Sequence, residues 1–489
     1  MSVPPVSFKK NIEELFKHSL VYGITSSLQN VLGFIMLPIL TAFYTPKIFG
    51  VYSILLLMST LTNSIFSLGA SSALGRFFFD EDSDLFRKKV FTSTLLLTLI
   101  GGGLLVFFGI IYSKTLSIYL FQTNIYSGPI LLTLIGTAFG FLLSLMTNLL
   151  RYEKKSYHFF LIVIFGVIIN FLITYVLLSL YKCGLLAPIY GSLISNGLCF
   201  LILLLSRLRL LTKRIEVNHI RLFLNFGIQV SFSGFLFYIL EWADRLIIKD
   251  LLDLTDVGIY SLGYRIGSLI NVLLIMPFCL VWAPWRIQHA KDSDMDIFSG
   301  KILSYYTIGG VMILMLFILF GEDIISIIFV NKAYSSASKV FPFILVSYFL
   351  YGYQNIVDFG VYLQKKVYIY ILISLLALLI NVLLNYLLIP KLGYMAAAYI
   401  SLITYLLSST SIYFISKNYF VIKIETKRVI FPLAYVFFLL VLNNLLPEMN
   451  FFFKLTLVLI SLHIVYYYWL SNSERVYLFN KFLTFINRV

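Results

Sequence analysis

Charge is what this sequence has least of. Only 12% of its 489 residues are Asp, Glu, Lys or Arg, where an ordinary soluble domain carries about 25%. With 60% hydrophobic residues and a mean hydropathy of +0.93, so little charge cannot coat the surface of a water-soluble globule. Cysteine is scarce too. Cys183, Cys199 and Cys279 are odd in number and scattered, which argues against a disulfide framework and against a metal site, so they read as packing residues. The five histidines fall in no HExxH-type pattern, and no Walker phosphate loop occurs. Neither a metal nor a cofactor is expected. Strand-like alternation is also missing, which argues against a membrane β-barrel.

What the chain has instead is long apolar runs. A membrane-spanning helix needs about 20 mostly apolar residues, and about fourteen such segments follow one another, with cores near 18–42, 48–73, 90–112, 126–150, 157–180, 184–206, 222–248, 256–281, 301–320, 341–363, 368–389, 393–416, 429–446 and 453–471. The expected class is an all-α polytopic membrane protein. Residues 1–17 are polar and show no signal peptide. Phe8, Ile12, Leu15 and Phe16 share one helical face opposite Lys9, Glu13 and Lys17, the pattern of a short helix lying on a membrane surface.

Lys and Arg orient the spans. With both termini in the cytoplasm, most of the 37 fall in the inner segments 1–17, 76–89, 151–155, 207–221, 286–301, 365–366, 417–428 and 475–488. The outer loops hold only Lys47, Lys114, Lys182, Lys249, Lys332, Lys339, Lys391 and Lys454, while Arg245 and Arg265 lie inside spans. The formal net charge of +15 is therefore mostly topological. Its expected partner is anionic lipid rather than nucleic acid.

The chain also repeats itself. FKHSLVYGITSSLQN, from residue 16, and FLNFGIQVSFSGFLF, from residue 223, each open a long span near a glycine (Gly23, Gly227). Each then reaches Gly-hydrophobic-Tyr-Ser at the next span, Gly50-Val-Tyr-Ser53 and Gly258-Ile-Tyr-Ser261. A second pair, residues 169–195 and 380–404, matches Asn170 with Asn381, Gly184 with Gly393, Ala187 with Ala396, Tyr190 with Tyr399 and Ser192 with Ser401. Both pairs fit a six-helix unit used twice in the same orientation, a parallel pseudo-two-fold repeat of the transporter type. The expected division is residues 1–221 for helices one to six, 222–426 for helices seven to twelve, and 427–489 for two added C-terminal helices.

In its motifs the sequence resembles the Wzx-type polysaccharide flippases of the multidrug/oligosaccharidyl-lipid/polysaccharide exporter superfamily. The residues that carry the resemblance are Asp244-Arg245-Leu246 followed by Val257-Gly258-Ile259-Tyr260-Ser261. Gly75-Arg76-Phe77-Phe78-Phe79 and the stretch Asn381 to Gly393, with Asn385 and Pro390, support them. The resemblance covers about residues 10–420. It implies two six-helix lobes around a central cavity, and alternating-access export of a polyprenyl-diphosphate-linked glycan from the inner to the outer leaflet of a bacterial cytoplasmic membrane, in O-antigen or capsule synthesis. It further implies a monomer, no ATP site, and partners in the polysaccharide polymerase or ligase machinery.

A diphosphate crossing hydrocarbon needs a polar, mostly cationic path. Arginine suits it, because its planar fork donates paired hydrogen bonds and stays protonated. Arg245, in EWADRLIIKD, and Arg265 are the arginines inside spans, and Arg76 lies at the inner end of helix two. These three are the candidate substrate contacts. Structural alternatives are an Arg245–Glu241 pair one helical turn apart and snorkelling of Arg265 to the interface. Glu241, Asp244 and Asp358 are the candidate ion-coupling acids, and their alternative role is to neutralise the arginines. Gln29, Asn30, Asn63, Gln229, Gln354 and Asn355 offer hydrogen bonds to sugar hydroxyls or between helices.

Two rivals belong to the same superfamily: a multidrug exporter, disfavoured by the arginines, and a lipid II flippase, disfavoured by the lack of charge in helix one beyond His18. A membrane enzyme would call for a sizeable outer loop or a cluster of acids and histidines. The longest outer loop, near 321–340, holds Glu322 and Asp323 and no histidine.

Overall fold

The computed structural model describes residues 25, 28–29, 31–212, 217–290, 292–329, 331–364, 366–446, 449–469 and 474–475. The expected surface helix at the N-terminus, with His18, Gly23 and Asn30, lies outside the described residues. Among those described there is no strand, and the all-helical expectation holds.

The helices are α1 (Val31–Phe43), α2 (Pro46–Phe66), α3 (Ala70–Phe77), α4 (Asp84–Phe121), α5 (Ser127–Tyr152), α6 (Ser156–Ser179), α7 (Leu186–Arg207), α8 (Val217–Leu251), α9 (Leu254–Gly267), α10 (Met276–Gln288), α11 (Met295–Ile328), α12 (Ala337–Val357), α13 (Phe359–Leu363), α14 (Val367–Leu392), α15 (Met395–Lys417), α16 (Thr426–Leu445) and α17 (Phe451–Ile464). Among the described residues, 12 segments are long and apolar enough to span a bilayer. The shorter α1 and the 35-residue α8 overlap the two remaining expected spans. Large apolar side chains stay exposed along these helices, among them Phe107, Ile110, Leu379 and Leu383, as hydrocarbon solvent allows. The chain is a multi-pass membrane protein.

Local chemistry sets the helix ends. Thr45 caps α2, its hydroxyl accepting from the Ile48 amide, with Pro46 in the first turn. Ser83 caps α4 through the Phe86 amide, and Asn450 caps α17 through the Phe453 amide. Between α6 and α7 Gly184 takes φ +52°, and between α14 and α15 its repeat partner Gly393 takes φ +66°. Both turns use the left-handed backbone that glycine enters without steric penalty.

The chain divides into two compact units, residues 1–261 and 262–489, with the boundary inside α9. The division by internal repeat is a separate, sequence-based one, and it stays a proposal. In the first unit, a buried cluster includes Leu74, Phe77, Phe91, Leu145, Leu149, Phe200 and Phe223. There Gly50 of α2 meets Gly258 of α9. A Cβ on Gly50 would stand 1.9 Å from the Leu254 carbonyl oxygen, and one on Gly258 would stand 1.9 Å from that of Pro46. The two Gly-hydrophobic-Tyr-Ser motifs are thus in backbone contact. In the second unit α12 is the central helix, packed against α11 and α15. Phe349 of α12 stacks on Tyr306 of α11 at 5.0 Å between ring centroids, and the Tyr306 hydroxyl donates to the Phe349 carbonyl at 3.0 Å.

Candidate functional site

Two groups of buried ionisable side chains stand out, one within each unit. The first is built by EWADR at the end of α8. One helical turn places Glu241 and Arg245 together, and Arg245 Nη1 donates to the Glu241 backbone carbonyl at 2.9 Å. The Arg245 guanidinium lies 4.1 Å from the centroid of the Trp242 ring and 5.7 Å from that of Tyr260, a cation–π arrangement that strengthens when desolvated. Arg245 is 1% exposed and Asp244 is 2% exposed. The Tyr260 hydroxyl, from α9, donates to the Asp244 carboxylate at 2.6 Å. Tyr260 thus touches both Asp244 and Arg245, and Glu241 joins them through its backbone carbonyl.

Arg76 stands apart in character. At the C-terminal end of α3 its side chain is more than half exposed and pairs with Asp80 at 2.8 Å, one turn on. Arg265, in the second unit, is half-buried in α9.

The second group surrounds Asp358, at the end of α12. Arg286 Nη1 donates to Asp358 Oδ1 at 2.6 Å and to the Asn355 carbonyl at 2.8 Å. The Tyr370 hydroxyl of α14 donates to the other carboxylate oxygen at 2.9 Å. Trp282 Nε1 donates to the same Asn355 carbonyl at 3.2 Å, and the Tyr362 ring lies 4.4 Å from the guanidinium. Arg286 Nε is buried and has no hydrogen-bond partner among the described residues. Asp358 is buried, and its counter-ion, Arg286, falls in the segment 286–301 expected as an inner loop. WAPWRIQ continues as helix to Gln288, with Pro284 inside it, so Arg286 lies on α10 and is only 5% exposed. The missed signal was the run of Trp282, Trp285 and Arg286, which reads equally well as an interfacial belt.

The neutral polar candidates divide similarly. Asn355 belongs to the Asp358 group, and Gln29 lines a groove of the first unit. Among the described residues no group of three or more His, Cys, Asp or Glu is placed to hold a metal ion.

In fold, the chain is similar to solved transporters over most of its length. The lipid II flippase MurJ, in an inward closed conformation, aligns at 17% identity and a TM-score of 0.69, covering 91% of this chain and 99% of that one. An inward-facing multidrug resistance MATE family transporter aligns at 13% identity and 0.61, covering 82% and 93%. A Pyrococcus furiosus transporter with a binding pocket of reversed polarity aligns at 14% and 0.59, covering 83% and 95%. The fold is that of the multidrug/oligosaccharidyl-lipid/polysaccharide exporter transporters. No protein of curated function matches the sequence. The family model described as polysaccharide biosynthesis protein matches residues 15–290, more than half of the chain, and the chain belongs to that family.

Proposed function

We propose that this transporter is a flippase. It moves a polyprenyl-diphosphate-linked oligosaccharide from the cytoplasmic to the outer leaflet by alternating access, for surface polysaccharide synthesis. The observation that carries the reading is a buried guanidinium, Arg245, held by the Glu241 backbone carbonyl and the Trp242 and Tyr260 rings, in a polysaccharide biosynthesis protein. Burying a charged arginine in a membrane protein is costly, so its retention supports a role on an ion or substrate path.

Arg76, Arg245 and Arg265 are the proposed contacts of the diphosphate. Arg76 is exposed, Arg265 is half-buried and Arg245 is buried. Glu241, Asp244 and Asp358 are the proposed coupling acids, each able to take up a proton or sodium ion. Substrate would shift the inward–outward equilibrium only by its differential affinity for the two states. The proposed setting is the cytoplasmic membrane of a bacterium, with both termini inside. There the chain acts as a monomer and hands its glycan to polymerase or ligase machinery.

The test is complementation of glycan export in the source cells by Arg76→Ala, Arg245→Ala and Arg265→Ala variants, with their membrane abundance measured alongside. The expected result is loss of surface glycan and accumulation of lipid-linked oligosaccharide at normal abundance. Unchanged glycan with all three variants would remove the arginines from the substrate path.

A further inference from the structure

The first unit contains a groove that the cationic path does not use. It has a volume of about 340 Å³, runs between α5, α6 and α7, and is met by Gln29. We propose that this groove binds the sugar portion of the translocated molecule, a neutral, hydroxyl-rich oligosaccharide. The proposal rests on the flippase reading and adds a second subsite to it.

Chemistry of the lining argues for this ligand class. On α5, Gly140, Ser144, Thr147, Asn148 and Arg151 recur at helical spacing on one face. They form a stripe about 16 Å long at 1.5 Å per residue. On α6, Phe159, Gly166 and Asn170 face it, and on α7 Ser195 and Asn196. The opposite face of α6 exposes Leu161, Phe165, Ile168 and Leu172, while Asn170 lies on the groove face beside Ile162, Val163 and Val167. Among the described residues no Asp or Glu lines the groove, which disfavours a cation. The one charge among its described residues, Arg151, lies 4.4 Å from the centroid of the Phe159 ring, a poor basis for holding a diphosphate.

Asn side chains both donate and accept, as sugar hydroxyls do. Those here retain capacity. Asn170 uses Oδ1 to accept from Thr174 at 3.1 Å, Asn148 uses Oδ1 to accept from Arg151 at 3.5 Å, and Asn196 uses Nδ2 to reach the Gly136 carbonyl at 3.4 Å. The remaining amide ends, two donors and one acceptor, carry no further hydrogen bond among the described residues. Amides that served only to join helices would use both ends on neighbouring helices, and two of these three bond within their own helix. The volume falls in the usual range of about 300–1,000 Å³ for ligand sites.

The test places a cysteine at an exposed position of the lining, Ser144→Cys, in the full chain reconstituted in vesicles. Its labelling by a water-soluble maleimide is read at that residue by mass spectrometry, and translocation is measured in parallel. Three probes are compared: the lipid-linked oligosaccharide pool extracted from the source cells, the glycan released from it by mild acid, and sugar-free polyprenyl diphosphate. Protection by the first two and not the third is expected. Asn148→Leu and Asn170→Leu should each raise the half-protecting concentration by about tenfold. Equal protection by polyprenyl diphosphate would assign the groove to the carrier and overturn the inference. Translocation without protection by any probe would overturn it while leaving the flippase reading intact. Protection by the glycan without translocation would keep the subsite and sink the flippase reading. Absence of both would remove the two together.

Discussion

Arg286 of α10 and Asp358 at the end of α12 form a buried ion pair, 2.6 Å between nitrogen and oxygen. Pairs of this kind are costly to break from one side, because the remaining charge stays in a low-dielectric interior. Arg286→Ala and Asp358→Ala are each expected to lower stability by about 3–5 kcal/mol. Arg286→Met with Asp358→Leu together should restore most of the loss, since two apolar side chains leave no stranded charge. Thermal unfolding of the detergent-solubilised variants checks this. A double variant as unstable as the singles would show that the pair is held by more than its mutual charge.

Tyr260 holds the Asp244 carboxylate of the other cluster through one hydrogen bond. Tyr260→Phe keeps the ring that faces Arg245 and removes only the donor. Hydrogen bonds to charged groups contribute about 1.5–3 kcal/mol, so a destabilisation in that range is expected. Denaturation of the variant beside wild type measures it, and no change would mean that the carboxylate is satisfied without Tyr260.

The backbone contact between α2 and α9 makes a contrasting pair of glycine predictions. Gly50→Ala and Gly258→Ala each push a methyl group into a carbonyl at 1.9 Å. Overpacking of this kind costs about 1–3 kcal/mol, and melting temperature should fall. Gly103→Ala and Gly309→Ala place the methyl in open space on α4 and α11. They should be neutral, or stabilising by up to about 1 kcal/mol through helix propensity. If all four variants melt alike, the close approach at Gly50 and Gly258 is not a tight packing contact.

Arg76 separates function from stability. Its ion pair with Asp80 is exposed, and such pairs contribute about 0–1 kcal/mol. Arg76→Ala should therefore melt within about 1 kcal/mol of wild type. If Arg76 is a diphosphate contact, the variant loses apparent affinity for the lipid-linked substrate in a concentration series while keeping much of its maximal rate. A large drop in stability would reassign Arg76 to the fold.

The spans were legible because membrane helices announce themselves as apolar runs of fixed length, and the charges of EWADR and Asp358 stood out against that background. Arg286 did not, because the last turns of its helix carry Pro284, Arg286 itself and Gln288. The apolar signal therefore fades before the helix ends. Asn148, Asn170 and Asn196 sit on three helices. Each alone resembles an ordinary interhelical contact, and only packing places them around one groove. Tyr370 was silent for the same reason, and Tyr260, although it stands in the Gly-hydrophobic-Tyr-Ser motif, carried no mark of its carboxylate partner. Aromatic residues make up 17% of the chain, and nothing in their spacing marks the two that hold carboxylates.

The central claim is translocation itself. Purified protein in vesicles would be given a polyprenyl-diphosphate oligosaccharide carrying a fluorophore on its sugar, and an impermeant reductant would then bleach only the exposed leaflet. A flippase exposes the protected half within the assay, and Arg245→Ala with Arg265→Ala abolishes that exposure in protein that remains folded. A protected half that stays fluorescent with wild-type protein, with or without pH and sodium gradients, would contradict the account and return attention to export of small cationic compounds.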